Sequence, residues 1–149
     1  MKKVIMLLVV ALTSACASTG MYSTPSGSDT ATVEVENLLD TGTQEATEGA
    51  TGWQMPGMAA ASRVGVFTVD GDRVDESGGD KTVTLDAGEH TIQLFADDGG
   101  MLRFKKFSMT FEEGAEYVIK VMRNDGKKNF RATVANKAAP ETVLEEVSF

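Results

Sequence analysis

The chain of 149 residues sets 22 acidic side chains against 14 basic ones, for a formal net charge of −8, and holds a single cysteine. That acidity argues against a nucleic-acid partner and against electrostatic docking on anionic lipid, both of which need basic patches. A lone cysteine excludes an intrachain disulfide, so a domain of this length must hold together by burying one core.

The chain opens on Met1-Lys2-Lys3, runs through the apolar stretch Val4 to Leu12, and reaches small residues at Thr13-Ser14-Ala15 before Cys16. A basic start, a short apolar middle and a small-residue cleavage site predict a signal peptide over residues 1–15. The apolar run, at about 1.5 Å per residue, covers roughly 14 Å, which falls short of a ~30 Å hydrocarbon core. Thr13-Ser14-Ala15-Cys16 resembles a lipoprotein signal box, with Thr13 at the usual aliphatic position and Leu12 one place earlier. The resemblance implies diacylglycerol on the Cys16 sulfur, cleavage after Ala15, and acylation of the new amine by a chain such as palmitate. Several chains buried at about 0.8 kcal/mol per methylene anchor a protein stably. Cleavage at Ala15-Cys16-Ala17, releasing a soluble protein, fits the same residues. By analogy with lipoproteins of diderm bacteria, Ala17 and Ser18 after the cysteine point to the outer membrane, on either face. Loss of residues 1–15 removes Lys2, Lys3 and no acid, moving the net charge from −8 to −10.

Residues 16–31 are rich in Ser, Thr and Gly and read as a flexible tether that keeps a domain over 32–149 close to the bilayer. Within that domain the apolar residues recur with period two, which predicts an all-β fold, a small antiparallel sandwich of about seven to eight strands. Val33 and Val35 alternate with Glu34 and Glu36, as on an edge strand. Val64 to Val69 is apolar on both faces, as a covered central strand would be. Val83 and Leu85 share one face of the next strand. Asp86-Ala87-Gly88-Glu89 then reads as a hairpin turn into a strand with His90, Ile92 and Leu94 on one side. After Asp97-Asp98-Gly99-Gly100, Leu102 and Phe104 keep one phase while Phe107, Met109 and Phe111 keep the other, which predicts a β-bulge or bend at Lys105-Lys106. Glu112-Glu113-Gly114 leads to a strand with Tyr117, Ile119 and Val121 inward. Asn124-Asp125-Gly126 leads to another with Phe130, Ala132 and Val134 inward. Residues 140–149 fit a strand or one to two helical turns, the strand being preferred.

Residues 38–62 lack periodicity, and loops of such length in small domains tend to be functional or disordered. Trp53, Met55 and Met58 within it are a candidate partner-contact lip, because Trp and Met favour interfaces; the alternative is that Trp53 caps an open end of the sandwich.

Val69-Asp70-Gly71, then Leu85-Asp86-Ala87-Gly88-Glu89-His90-Thr91-Ile92, then Phe111-Glu112-Glu113-Gly114-Ala115-Glu116-Tyr117-Val118-Ile119 together resemble the small envelope β-sandwich modules of the PEGA type and similar domains in lipoproteins of unknown function. The resemblance spans residues 64–135 and rests on turn chemistry, with Asp86-Ala87-Gly88-Glu89 standing where a Pro-Glu-Gly-Ala run is usual. It implies a non-catalytic domain near the cell wall and brings no catalytic residues with it.

The inventory of chemical groups is sparse. His90 is the only histidine, and its core-side phase beside a turn suits a hydrogen-bonded structural role better than catalysis. There is no nucleophile elbow, phosphate loop or zinc-binding His pair. Asp70-Gly71-Asp72-Arg73-Val74-Asp75-Glu76 could interest calcium, but Val74, Asp75 and Lys81 stand where an EF-hand needs a ligand, a glycine and a glutamate, so an acidic turn is the default. Arg103, Lys105 and Lys106, and again Lys127, Lys128 and Arg131, are basic groupings that suit either an anionic ligand or plain solvation. The sequence therefore predicts no enzyme, cofactor or metal. It predicts instead an envelope lipoprotein with a structural or protein-interaction role, a glycan- or peptidoglycan-binding module being the alternative.

Overall fold

The computed structural model describes residues 20–39, 62–75, 81–98, 101–124 and 130–149. The segment read as a signal peptide, Cys16, and most of the long loop with Trp53, Met55 and Met58 lie outside them. The described residues form nine strands and no helix, arranged as two sheets of a β-sandwich. One sheet has five strands in the order β4 (Thr82–Asp86), β1 (Thr30–Asn37), β7 (Glu116–Arg123), β8 (Phe130–Asn136), β9 (Ala139–Ser148). The other has four, in the order β3 (Asp72–Arg73), β2 (Arg63–Val69), β5 (Gly88–Asp98), β6 (Met101–Phe111). The two-residue β3 is the strand that patterning alone did not anticipate.

Period-two alternation becomes burial directly. Val33 and Val35 of β1, Val83 and Leu85 of β4, Ile92 and Leu94 of β5, Ile119 and Val121 of β7, and Phe130, Ala132 and Val134 of β8 all face a single core. Each fully buried Val, Leu, Ile or Phe contributes about 1.5–3 kcal/mol, which is how the domain stands without a disulfide. The last segment is a strand, as preferred from sequence, with Val147 buried and Phe149 tilted against Phe130 at 5.6 Å between ring centroids.

Three expectations are corrected. β1 is no edge: it lies between β4, antiparallel, and β7, parallel. Its outward glutamates suggested an exposed margin, yet Lys137 reaches Glu34 at 2.6 Å and Lys120 reaches Glu36 at 3.9 Å, so neighbouring strands supply the counter-charge. Asp86-Ala87-Gly88 is no hairpin turn, because β4 and β5 belong to different sheets. It is a corner, with Gly88 at φ 135°, a conformation that suits glycine, and with the Ala87 N–H donating to the Asp29 carbonyl. Finally, β6 has no bulge at Lys105-Lys106: it pairs with β5 in one register from Gly88↔Phe111 to Asp98↔Met101. The bulge sits in β2 instead, where Phe67 is the extra residue between Val66↔Leu94 and Thr68↔Gln93.

The crossing from β6 to β7 turns at Gly114 (φ 71°), whose N–H donates to the Thr30 carbonyl. The Glu112 N–H donates to the Tyr117 hydroxyl at 3.0 Å, and the Tyr117 ring meets Phe111 edge-on at 5.1 Å. One aromatic residue thus fastens the corner to the core, satisfying a backbone donor with a side chain.

Of the segment read as a tether, Gly20 to Tyr22 lie against β3. The Arg73 N–H donates to the Gly20 carbonyl and the Tyr22 N–H to the Arg73 carbonyl. The Tyr22 hydroxyl donates to the Thr84 carbonyl at 2.8 Å, joining β4 to the chain before β1.

Candidate functional site

The phase change within β6 has a packing cause. Phe107 and Phe111 point into the core, whereas Leu102 and Phe104 point outward from the four-stranded sheet. Phe104 lies opposite Phe95 of β5, itself opposite Gly65 of β2. Phe67, two residues after Gly65 and so on the same side by alternation, has its ring centroid 4.9 Å from that of Phe104 at a tilt of 58°. Arg73 closes the group, its guanidinium carbon 5.1 Å from the Phe67 centroid, a cation–π contact worth about 0.5–1 kcal/mol at an exposed site.

The outward face therefore carries its own aromatic cluster. Phe95 is only 7% exposed, while Phe104 is 42% and Leu102 50% exposed. Gly65 makes the arrangement possible, since a Cβ there would stand 2.7 Å from Cε1 of Phe95. Beside the rings runs a polar strip, in which Thr68 Oγ1 meets Gln93 Oε1 at 3.3 Å and Thr91 Oγ1 meets Ser108 Oγ at 2.7 Å. Such a surface can stack on a flat apolar group or bury one, with hydroxyls and an amide beside it to fix orientation; the groups it offers have no nucleophile and base paired for reaction.

His90 is hydrogen-bonded beside a turn through both ring nitrogens. Its Nδ1 is 2.6 Å from Asp70 Oδ2 and its Nε2 is 2.8 Å from the Asp86 carbonyl, so the ring spans the β2–β3 turn and the β4–β5 corner. Both partners are acceptors; each neutral tautomer satisfies one contact and the doubly protonated ring satisfies both. Asp70 Oδ1 accepts from the Thr91 N–H at 2.8 Å, which holds the Asp70-Gly71 turn with both residues at positive φ (51° and 95°). That is the two-residue hairpin for which Asp-Gly is suited. Both carboxylate oxygens of Asp70 are thus in hydrogen bonds, and no group of three metal-ligating side chains occurs among the described residues. Tyr22 lies close by, its hydroxyl pushed up to about 12 by burial and then by the charges of Asp86 and Asp70.

A cavity of about 200 Å³ is lined by Asn37, Ser62, Val64, Lys81, Val83 and Phe95, among others. It falls below the ~300–1,000 Å³ of typical small-molecule sites. It lies where the long loop leaves and returns, and there the Asn37 side-chain amide donates to the Ser62 carbonyl at 2.9 Å while Leu39 is buried. Trp53, Met55 and Met58 belong to the loop beyond these ends, outside the described residues. Of the basic groupings, Arg103, Lys105 and Lys106 have no carboxylate partner among the described residues, Arg131 approaches Glu146 at 4.0 Å, and Lys127 and Lys128 lie outside the described residues. The outward aromatic cluster was missed by sequence reasoning, although the opposed phases of Leu102-Phe104 and Phe107-Phe111 were its signal.

Comparison with known proteins gives no match to a family model, a curated protein or a solved structure.

Proposed function

We propose that this chain is an exported envelope lipoprotein, cut before Cys16 and held by lipid at the outer membrane, whose sandwich is a non-catalytic module for contact with another envelope protein. The observation that carries the contact reading is the outward aromatic cluster, in which Phe104 and Leu102 stay exposed on a regular strand while Phe67 and Phe95 support them from below. Exposed apolar groups held rigidly and rimmed by polar and basic side chains are the makings of an interface. The signal box of residues 13–16 and the PEGA-like turns support the anchoring and the non-catalytic role.

A glycan- or peptidoglycan-binding role is the second reading, favoured by the Thr68, Gln93, Thr91 and Ser108 strip beside the rings. One set of measurements separates the two. A photo-crosslinking residue at Phe104, with Thr110 as control position, is expected to give a defined protein adduct in whole envelopes from 104 and none from 110. Retention on purified peptidoglycan that Phe104→Ala abolishes transfers the face to the glycan reading, and adducts equal at both positions exclude it as a protein contact. For the anchor, mass spectrometry of the mature N-terminus is expected to show an acylated Cys16; an unmodified chain starting at Ser18 overturns the lipoprotein reading.

A further inference from the structure

We propose that the side of the sandwich formed by β6 and β9 is a self-association surface, on which β6 of one copy pairs antiparallel with β9 of a second copy and the reverse pairing forms at the same time. Each strand ends its sheet, and the outer backbone ladder of each has no partner among the described residues. The two strands carry opposite charge. β6 presents Arg103, Lys105 and Lys106, whereas Arg63, Lys120, Arg123, Arg131 and Lys137 each have a carboxylate within 4.0 Å. β9 presents Glu141, Glu145 and Glu146, of which, among the described residues, only Glu146 has a cation within reach, at the 4.0 Å limit. Among the described residues, three bases without a carboxylate partner thus stand along one edge strand, and acids stand along the edge strand beneath it.

Strand direction makes the pairing closed. β9 runs with β7 because each is antiparallel to β8, and the proposed pairing takes β6 to run against them across the corner that joins it to β7. A two-fold axis along the strands exchanges the upper and lower sheets, so that β6 of each copy meets β9 of the other in antiparallel sense. Such an isologous arrangement uses one surface twice and stops at two copies. The alternative two-fold, β6 against β6 and β9 against β9, sets three cations opposite three cations and is rejected by charge, which is how edge lysines act against like edges. Val143 and Leu144 on β9 are exposed beside these charges and would be flanked by the second copy, while the outward Phe104 face, perpendicular to the pairing direction, is left to the contact proposed above. Both irregularities of the β8–β9 ladder fall before Glu145, leaving Glu145 to Ser148 regular.

The test is sedimentation of the full chain in density-matched detergent. The parent chain is expected at the mass of two copies, with dissociation favoured by added salt. Lys105→Glu with Lys106→Glu is expected to give single copies, as is Glu145→Lys with Glu146→Lys, and mixing the two variants is expected to restore a pair. Cysteines placed at Lys105 in one tagged chain and Glu145 in another should join the two chains, with Lys105→Cys alone forming no pair beyond the background of Cys16. A monomeric parent chain overturns the proposal, as does a Lys105-to-Lys105 crosslink. Charge reversals that lower the melting temperature without changing the mass would confine these charges to their own sandwich edge and overturn it equally.

Discussion

Gly65 and Phe95 face each other across β2 and β5, and the Phe95 ring occupies the space that a side chain on Gly65 would need, 2.7 Å from an ideal Cβ. Replacing Gly65 by Ala has two opposed effects. Relief of backbone entropy favours the variant by about 0.5–1 kcal/mol, and forced movement of the ring disfavours it by about 1–3 kcal/mol. Crowding wins, so Gly65→Ala is expected to lower unfolding free energy by roughly 1 kcal/mol in a denaturant titration. Adding Phe95→Leu should recover part of that loss, and strict additivity of the two changes would show that they do not touch.

Tyr22 is expected to titrate late. Its hydroxyl, pushed up to about 12 from 10, should ionise in the folded chain well after it does in an unfolded one, read as tyrosinate absorbance and assigned with Tyr22→Phe. Because the folded value lies above the unfolded one, the hydroxyl's contribution is fully present below pH 10 and is lost as pH rises through about 12. Tyr22→Phe removes one hydrogen bond to the Thr84 carbonyl and should cost about 1 kcal/mol.

His90 and Asp70 act as one unit across two turns. His90→Ala breaks both ring contacts and leaves the Asp86 carbonyl and one oxygen of Asp70 without this partner, for an expected loss of about 1–3 kcal/mol. Asp70→Ala should cost a similar amount, because the Thr91 N–H also loses its acceptor. The double variant is expected to fall short of the sum, by thermal or denaturant unfolding.

Tyr117→Phe isolates the corner tie. The ring and its edge contact with Phe111 remain, while the Glu112 N–H loses its acceptor, so a loss of about 1–2 kcal/mol is expected. Phe111→Ala removes the packing itself and should cost about 3–5 kcal/mol. If Tyr117→Phe proves neutral in the same unfolding assay, water takes over the Glu112 donor and the corner stands without its tie.

What the sequence made legible was local. The phases of Ile92, Tyr117 and Phe130 follow from alternation within one strand, and so does the inward side of His90, because pleating places alternate side chains on opposite faces. Membership of a sheet is a non-local property. Nothing within Asp86-Ala87-Gly88-Glu89 distinguishes a turn that returns to the same sheet from a corner that crosses to the other; the Asp29 carbonyl and the His90 ring, distant in sequence or in role, decide it. Glu34 and Glu36 misled in the same way, since the lysines that balance them arrive from β7 and from the turn after β8.

The aromatic face was hidden by an assumption about cores. Two apolar phases in one strand were reconciled by a bulge in β6, whereas each phase has a separate destination, the core for Phe107 and Phe111 and the outward cluster for Leu102 and Phe104. The position of Phe67, on the neighbouring side of the same face, reveals that the second phase has company.

The central place of β1 bears on how the domain is assembled in time. A ribosome delivers Thr30–Asn37 early, yet one side of that strand stays unsatisfied until Glu116–Arg123 has emerged, because β7 is its parallel neighbour. The five-stranded sheet cannot close progressively behind the growing chain. Its ordering waits on a distant segment, which places it with the slow, high-contact-order folders and leaves Val33 and Val35 in need of shelter meanwhile.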